Sequence, residues 1–193
     1  MHRVIIVHCW DGYPEYCWYP WAKQQLEKDG VAVSVPAFPD TAHPNRERWC
    51  KKLSEAIGTA DEHTFLIGHS VGCVTIMRYL ESLPQNVRIG GAVFVAGFTD
   101  DLGFAELKNF FTEAINFEKI KAHCRHFVVI HSTDDPYVPL RHSQVFEKKL
   151  GATIIIKANA GHFSGSNDPE PPNAKTYMQL PEVVNSILQF TQL

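Results

Sequence analysis

Thr64-Phe-Leu-Ile-Gly-His-Ser-Val-Gly72 is the stretch that decides how this chain folds. Residues 64–67 form a short apolar run with aromatic and β-branched members, which is typical of a buried strand. A Gly-x-Ser-x-Gly turn follows, and residues 71–83 then have the pattern of a helix that is apolar nearly all round. Strand, turn and helix in this order predict a sharp bend that exposes the hydroxyl of Ser70.

The two glycines of this turn meet the steric demand of such a bend. A serine held in a strained turn needs neighbours without a Cβ, so that the strand and the helix can pass closely, and Gly68 and Gly72 satisfy that need. The alternative interpretation is an ordinary strand-to-helix turn closed by two glycines. The flanking elements favour a nucleophilic Ser70, and the amide of Val71, which opens the helix, is the first candidate oxyanion donor.

Apolar runs of the same kind recur along the chain and alternate with helical patterns. Strands are predicted at 4–7, 31–35, 64–67, 92–96, 127–130 and 153–156, each buried on both faces. Helices are predicted at 21–28, around 49–57, at 71–83 and at 140–150. The 193 residues are about the size of one domain. We therefore expect a single α/β domain over 1–193, a three-layer α/β/α sandwich around a mostly parallel sheet of about six strands.

Composition argues against several classes of partner. The formal net charge is −3 and the pI is near 6.3, so the chain has no cationic surplus for nucleic acid or anionic lipid. No apolar run approaches the roughly 20 residues needed to cross a bilayer. The five cysteines are scattered and odd in number, which predicts no disulfide framework and favours the cytoplasm. Phosphate-binding glycine loops and paired metal-ligand clusters are missing, so we expect neither a cofactor nor a metal.

A catalytic serine needs an imidazole that accepts its proton, and the chain has ten histidines. His162 follows the last predicted strand, and loops at the carboxyl ends of parallel strands face one crevice. The alternative for His162 is a local hydrogen bond within its loop. His8 and His131, at the ends of other strands, are second choices as the base, and His8 is better suited to shaping the oxyanion loop. His69 adjoins Ser70 and is interpreted as packing or polar support.

The carboxylate that orients the base is expected after a strand between Ser70 and His162, since Ser, Asp, His is the order on this kind of fold. Asp134 and Asp135 follow the predicted strand 127–130 and compete for the role. We choose Asp135, because the Asp-x-x-Val-Pro frame that leads to the next helix begins there. An Asx turn is the alternative interpretation of the same residues, and both can hold together.

Two further segments are candidates for the substrate site. The loop His8-Cys-Trp-Asp-Gly12 is expected to supply the second oxyanion amide, from Trp10 first and Cys9 second. Its aromatic residues predict either a wall for an apolar acyl group, with Trp10 in contact, or packing onto the sheet. Residues 99–123 predict either a small cap, with Phe110 and Phe111 contacting substrate, or a plain helical crossover.

With these motifs in place, the chain resembles the small α/β-hydrolase-fold serine hydrolases related to retinoblastoma-binding protein 9 and bacterial YdeN. The resemblance extends over nearly the whole length and includes Gly68-His-Ser-Val-Gly72, Asp134-Asp-Pro-Tyr-Val-Pro139, Gly161-His-Phe163, Trp18-Tyr-Pro-Trp21, Gly97-Phe-Thr-Asp-Asp-Leu102, Phe117-Glu-Lys-Ile-Lys121 and Leu180-Pro-Glu-Val-Val184. It implies a compact α/β-hydrolase with the triad Ser70, Asp135 and His162 and with esterase-like activity.

The chain departs from the pattern of its relatives at two points. Many hydrolases carry His-Gly in the oxyanion loop, where this chain has His8-Cys9. The Leu-x-Cys-x-Glu motif of retinoblastoma-protein binding is absent, so that partnership is not implied. The sequence thus predicts a serine hydrolase that cleaves small carboxylic esters through an acyl-enzyme on Ser70. Amide or peptide hydrolysis uses the same groups, and a non-catalytic interaction module on the same fold is the alternative from another class.

Overall fold

The computed structural model describes residues 1–164 and 177–192. These residues contain one six-stranded sheet with the strand order β2-β1-β3-β4-β5-β6, and each neighbouring pair is parallel. The strands are β1 (Arg3–Val7), β2 (Ala32–Ser34), β3 (Thr64–His69), β4 (Ile89–Val95), β5 (Cys124–Ser132) and β6 (Thr153–Lys157). The predicted α/β class and the parallel sheet of about six strands are confirmed.

Helices cover both faces of this sheet. They are α1 (Tyr19–Lys28), α2 (Arg46–Ile57), α3 (Val71–Ser82), α4 (Phe117–Ala122), α5 (Arg141–Leu150) and α6 (Pro181–Thr191), with a 3₁₀ helix at Ala105–Phe110. One apolar cluster joins α1 and α6 to one face, and a second joins α2, α3 and α5 to the other. The result is the predicted three-layer sandwich. A right-handed crossover places its helix on one face or the other according to its direction along the sheet, so α1, between β1 and β2, lies opposite α2, α3 and α5, whose crossovers run the other way.

The helix α3 lies at the centre of one layer and carries the serine turn at its start. Its apolar side chains are fully buried, among them Val74, Ile76, Met77 and Leu80. Each such side chain stabilises the fold by roughly 1.5–3 kcal/mol relative to leaving it in water. The helix is therefore fixed firmly enough to hold a strained residue at its amino end.

The structure corrects the expectation that every strand is buried on both faces. Ala32 and Ser34 of β2 are exposed, and so are Thr153 and Ile156 of β6. Both strands lie at the edges of the sheet, where helices cover them only in part. Strand-like composition predicts the strand itself, but it does not predict its place in the sheet.

The helix α6 was not among the predicted helices. Its signals are present in the sequence, because Pro181 occupies the first turn and Val183, Val184 and Ile187 bury one face. None of the helices in the described parts of the chain has the length and apolarity that crossing a bilayer requires.

The segment 99–123 contains the 3₁₀ helix and α4, so it is helical only in short pieces. The buried Arg78 of α3 holds it in place by donating from Nε to the carbonyl oxygen of Phe110 at 2.8 Å and from Nη2 to that of Glu113 at 2.6 Å. A salt bridge of 2.7 Å to Glu81 balances the charge of the guanidinium. Arg78 thereby anchors the middle of the connection between β4 and β5 to α3.

Candidate active site

Ser70 occupies the sharp bend between β3 and α3. Its backbone has φ 56° and ψ −120°, in the left-handed half of conformational space where residues other than glycine are strained. The amide of Ser70 donates to the carbonyl oxygen of Val95 at 2.9 Å, and the Ser70 carbonyl accepts from the amide of Cys73 at 2.9 Å. These two bonds hold the residue in its unusual conformation.

The glycines beside Ser70 are required by close backbone contacts, as predicted. A Cβ on Gly72 would overlap the carbonyl oxygen of Val7, at the end of β1. A Cβ on Gly68 would lie 2.7 Å from the Cα of Cys73, closer than real Cβ atoms approach other heavy atoms. The first turn of α3 can therefore pass close to both β1 and β3 only because both positions are glycine.

His162 and Asp135 form a direct hydrogen-bonded pair. The Nδ1 atom of His162 lies 2.8 Å from Oδ2 and 3.0 Å from Oδ1 of Asp135. Because an ionised carboxylate only accepts hydrogen bonds, Nδ1 carries the proton, which leaves Nε2 of the neutral ring as an acceptor. The side chains are 9% and 1% exposed, so water competes little for this bond.

Hydrogen bonds from backbone amides help keep the Asp135 carboxylate ionised. Its Oδ1 accepts from the amides of Tyr137 and Val138, each at 2.9 Å. Burial alone would raise the pKa of Asp135, but the charge of His162 and these hydrogen bonds outweigh it, so the pKa lies below its ordinary value of 3.8. Asp135 is ionised at neutral pH and can stabilise a positive charge on the ring.

The competing residue, Asp134, has a different role in the structure. Its Oδ1 accepts from the hydroxyl of Ser132 at 2.6 Å and from the amide of Gly161 at 2.9 Å. Asp134 thus fixes the backbone that precedes His162, whereas Asp135 contacts the ring itself. The structure assigns the two neighbouring carboxylates to different parts of the same loop.

Ser70 and His162 line one pocket of about 250 Å³, together with Val71 and Trp10. The two predicted catalytic side chains, 92 positions apart in sequence, are thus brought to the same cavity. Its other walls are mainly apolar and consist of Cys9, Asp11, Phe98, Leu102, Phe104, Leu107, Tyr137, Val138 and Ser164. This shape and polarity suit a small acyl group beside one hydroxyl and one imidazole.

The loop after β1 is held by its own hydrogen bonds. The carbonyl oxygen of Cys9 accepts from Nδ1 of His8 at 2.9 Å and from the amide of Gly12 at 3.1 Å. The amide of Cys9 donates to the hydroxyl of Tyr19 at 3.1 Å. Cys9 has no positive φ, so the position occupied by glycine in many hydrolases tolerates a side chain here.

The other candidate histidines make structural contacts. Nε2 of His8 accepts from the amide of Phe38 at 3.1 Å, and Nε2 of His131 lies 2.8 Å from the carbonyl oxygen of Gly97. His69 lies between the hydroxyl of Tyr19 and the carbonyl oxygen of His162, each at 2.7 Å. These contacts agree with polar support for His69 and with a loop-shaping role for His8.

Two residues that the sequence placed at the substrate lie elsewhere. Phe110 is fully buried in the core, and Phe111 packs on Phe98 with ring centroids 6.1 Å apart. The lining of the pocket instead takes Leu102, Phe104 and Leu107 from the same segment. The error arises because 3₁₀ geometry and the Arg78 bonds turn the phenylalanine pair toward α3, which helical spacing alone does not reveal.

The sequence interpretation also missed residues of the pocket. Phe98 follows the end of β4, and Tyr137 and Val138 follow Asp135 within the Asp-x-x-Val-Pro frame. The available signal was their position after the carboxyl ends of two central strands, where open parallel sheets bind their ligands. Tyr19 is only ten positions from Cys9, but this spacing does not show that α1 turns its hydroxyl toward the loop after β1.

Solved structures with the same architecture define the class. The crystal structure of the ydeN gene product of Bacillus subtilis superposes with a TM-score of 0.90 at 29% identity over 100% of both chains. Est1E of Butyrivibrio proteoclasticus with bound ferulic acid superposes with a TM-score of 0.74 at 14% identity over 100% of this chain and 88% of that chain. The fold is that of the α/β-hydrolases.

Sequence comparison specifies the family within that class. Residues 4–171 match the serine hydrolase family. The chain is 33% identical over 162 residues to the YdeN protein of Bacillus subtilis (strain 168), and the match covers 83% of this chain and 85% of that protein. It is 30% identical over 152 residues to the serine hydrolase RBBP9 of Rattus norvegicus, with 77% and 79% covered. This chain belongs to the serine hydrolase family, which confirms the resemblance found in the sequence.

Buried neutral histidines near the site predict how stability depends on pH. Burial, only partly offset by the bond to Gly97, lowers the pKa of His131 from 6.5 to about 4. Between these values the unfolded chain binds a proton that the folded chain does not, so stability falls as the pH drops from 6.5 toward 4. In His131→Gln the glutamine amide can still donate to the carbonyl oxygen of Gly97, but it cannot titrate. We therefore expect the free energy of unfolding to depend less steeply on pH, by up to about 1.4 kcal/mol per pH unit.

Urea unfolding between pH 4 and 7 measures this slope. His63→Gln, the same substitution at an exposed histidine, is the matched control and should leave the slope as in the wild type. An unchanged slope in His131→Gln would show that the ring takes up its proton without unfolding.

Proposed function

We propose that this protein is a serine esterase that cleaves small carboxylic esters through an acyl-enzyme on Ser70. The observation that carries the proposal is the His162–Asp135 pair at a pocket that also presents Ser70 from a strained turn. Membership of the serine hydrolase family supports it independently. The steps below need no group from outside the chain except substrate and water.

In the first step His162 acts as general base. Its Nε2 takes the proton from Oγ of Ser70 as Oγ attacks the carbonyl carbon of the ester, and the C=O π electrons move onto the oxygen. Asp135 stabilises the imidazolium that forms and keeps the proton on Nδ1 in the correct tautomer. The oxyanion electrons then re-form the C=O bond and the bond to the leaving oxygen breaks, while the imidazolium gives its Nε2 proton to that alkoxide; the acyl group stays on Ser70. In the second step His162 takes a proton from water as the water attacks the acyl carbon, and the same collapse releases the carboxylic acid and returns the proton to Oγ of Ser70.

Two backbone amides are proposed to hold the negative oxygen of the tetrahedral intermediate. The amide of Val71 is in the first turn of α3, so it has no partner within the helix and is favoured by the helix dipole. The amide of Trp10 and the carbonyl of Cys9 belong to the same trans peptide and so point in opposite directions. Because His8 and Gly12 bind the carbonyl, the amide of Trp10 faces away from them. The Cys9 amide already donates to Tyr19, which favours Trp10 over Cys9.

The pocket indicates the size of the acyl group. Its volume of about 250 Å³ lies just below the roughly 300–1,000 Å³ of sites that bind drug-sized ligands. Phe98, Leu107 and Val138 in its lining are almost completely buried, whereas Phe104 and Tyr137 are partly exposed. We assign the buried end to the acyl group and the exposed end to the leaving group.

A fluorophosphonate probe tests the nucleophile. We expect it to label the wild type and to fail with Ser70→Ala, because only an activated serine reacts with the probe. Hydrolysis of p-nitrophenyl acetate and butyrate should fall by at least about 10³-fold in the same variant. Equal labelling of both proteins would remove Ser70 from the role, and no labelling of the wild type would favour a non-catalytic interaction module.

The two aspartates provide a matched pair for the orienting carboxylate. Asp135→Asn should lower kcat by about 10³- to 10⁴-fold with little change in KM, because the amide no longer holds the ring in its tautomer or stabilises its charge. Asp134→Asn keeps an acceptor for Ser132 and Gly161 and should change kcat less than about tenfold. Steady-state kinetics on one ester compares them, and a larger loss at Asp134 would reverse the assignment.

The pocket lining predicts which residues select the acyl chain. Leu107→Ala removes buried atoms from the wall, so the ratio of kcat/KM for hexanoate over acetate esters should rise by about tenfold or more. Phe111→Leu, in the same segment but outside the lining, should leave this ratio unchanged. A shift with Phe111→Leu and none with Leu107→Ala would place the acyl group elsewhere. Amide analogues of the preferred ester, assayed in parallel, test for amidase activity.

A further inference from the structure

Buried hydrogen bonds connect three of the loops that build the proposed site. The amide of Cys9 lies 3.1 Å from the hydroxyl of Tyr19, and that hydroxyl lies 2.7 Å from Nδ1 of His69. At the other side of the ring, Nε2 of His69 lies 2.7 Å from the carbonyl oxygen of His162. Cys9 belongs to the loop after β1, His69 directly precedes Ser70, and His162 is the proposed base. The loops after β1, β3 and β6 thus each contribute one group, and Tyr19 of α1 joins the first of them to His69.

The direction of each hydrogen bond follows from chemistry. A carbonyl oxygen only accepts, so Nε2 of His69 carries a proton and donates to His162. In a neutral ring Nδ1 is then an acceptor, which requires the hydroxyl of Tyr19 to donate to it. A backbone amide only donates, so Cys9 donates to a lone pair on the hydroxyl oxygen of Tyr19. The chain of bonds has one consistent set of protons and leaves none of these atoms unsatisfied.

Burial keeps this proton arrangement in place. His69 and Tyr19 are both completely buried. Burial first, and then the neighbouring charge of His162, lower the pKa of His69 to about 3, and burial raises the pKa of Tyr19 well above its ordinary value of 10. Neither group changes its protonation near neutral pH, so the chain acts as a fixed structural link and does not move protons.

We propose that Tyr19 and His69 are positioning residues that align the loop of Trp10 and the backbone of His162 with Ser70. The inference rests on the proposed esterase function, because positioning has meaning only for a reaction at Ser70. Neither side chain lines the pocket, so both act through the groups that they bind.

At the first loop the link completes the fixation of Cys9. Its carbonyl is bound by His8 and Gly12, and its amide by Tyr19, so neither peptide plane beside Cys9 can rotate freely. The second of these planes carries the amide of Trp10. An oxyanion donor is effective only when its direction is set before the reaction begins, because reorienting it would cost part of the stabilisation.

At the third loop the link fixes the other end of His162. Asp135 binds the ring of His162 and His69 binds its main-chain carbonyl, so the residue is held from two sides. Phe163, which follows it, has a positive φ of 59°, a strained conformation for a residue other than glycine that needs support from the surroundings. The neutral state of His69 matters as well. Its ring lies 5.2 Å from that of His162, where a second positive charge would oppose the imidazolium.

Tyr19→Phe removes only the hydroxyl and tests the link. We expect kcat per fluorophosphonate-labelled site to fall about 10- to 100-fold, with KM within about twofold, since the lost alignment acts in the transition state. A trifluoromethyl ketone, which forms a tetrahedral oxyanion on the serine, should lose affinity by the same factor as kcat/KM. Tyr79→Phe, the same change at a buried tyrosine of α3 outside the pocket lining, is the control and should keep wild-type values.

Variants at His69 separate positioning from packing. His69→Gln retains a side-chain amide that can donate to the carbonyl of His162, whereas His69→Leu fills similar space without a donor. We expect His69→Gln to recover at least about tenfold of the kcat lost in His69→Leu, at similar thermal stability. Equal kcat in the two variants would reduce His69 to a packing residue and would overturn the proposal.

Nitrogen-15 NMR of the histidine rings gives a readout that does not depend on turnover. His69 should show a single neutral ring protonated at Nε2 from pH 5 to 9, and Tyr19→Phe should shift the amide signals of Cys9 and Trp10. A ring protonated at Nδ1, or one that titrates in this range, overturns the proposal. If the wild type labels and Tyr19→Phe keeps full kcat per site, this inference alone fails. If the wild type does not label, the proposed function fails with it.

Discussion

The contact between the first turn of α3 and the end of β1 is the constraint on which the rest of the site depends. It exists because Gly72 has no Cβ, which would otherwise overlap the carbonyl oxygen of Val7. This close approach brings Ser70 next to the loop that begins at His8, and so places the serine beside the proposed oxyanion amides. The parallel sheet brings the loops after β1, β3, β5 and β6 to one edge, where Asp135 and His162 meet.

Polar side chains set the finer geometry of that edge. Asp134 and Asp135 are neighbours in sequence, yet one fixes the backbone before His162 and the other holds its ring. Tyr19 and His69 connect the loop of His162 to the loop after β1. Burying such groups would cost about 1–3 kcal/mol for each unsatisfied atom, so the bonds also restrict the loops to the arrangement that satisfies them. The apolar core fixes the sheet, and this network fixes the site.

The sequence predicts the elements of this protein better than it predicts their surroundings. The glycines at 68 and 72, the strand before them and the apolar helix after them were enough to place Ser70 at a bend. The order of the Ser, Asp and His motifs, together with the Asp-x-x-Val-Pro frame that begins at Asp135, was enough to bring Asp135 and His162 together. Phe110 and Phe111 were placed wrongly because a 3₁₀ helix does not follow the 3.6-residue repeat and because the bonds of Arg78 are invisible in a local pattern. The role of Tyr19 was missed because it depends on tertiary contacts with residues 10 and 50 positions away.

The deep burial of α3 explains how the strained conformation of Ser70 is maintained. A residue other than glycine in this conformation costs of order 1–3 kcal/mol, and the cost would be relieved if α3 left the core and unwound. Burial of Val74, Ile76, Met77 and Leu80 opposes that unwinding, since each contributes roughly 1.5–3 kcal/mol. The gain exceeds the strain several times over even after allowance for an unfolded chain that is already partly compact. Tyr19 and His69 cannot supply such a surplus, because they contribute a few hydrogen bonds of about 1 kcal/mol each. The core of the protein therefore maintains the strained serine, while the buried hydrogen bonds only choose the orientation of the groups around it.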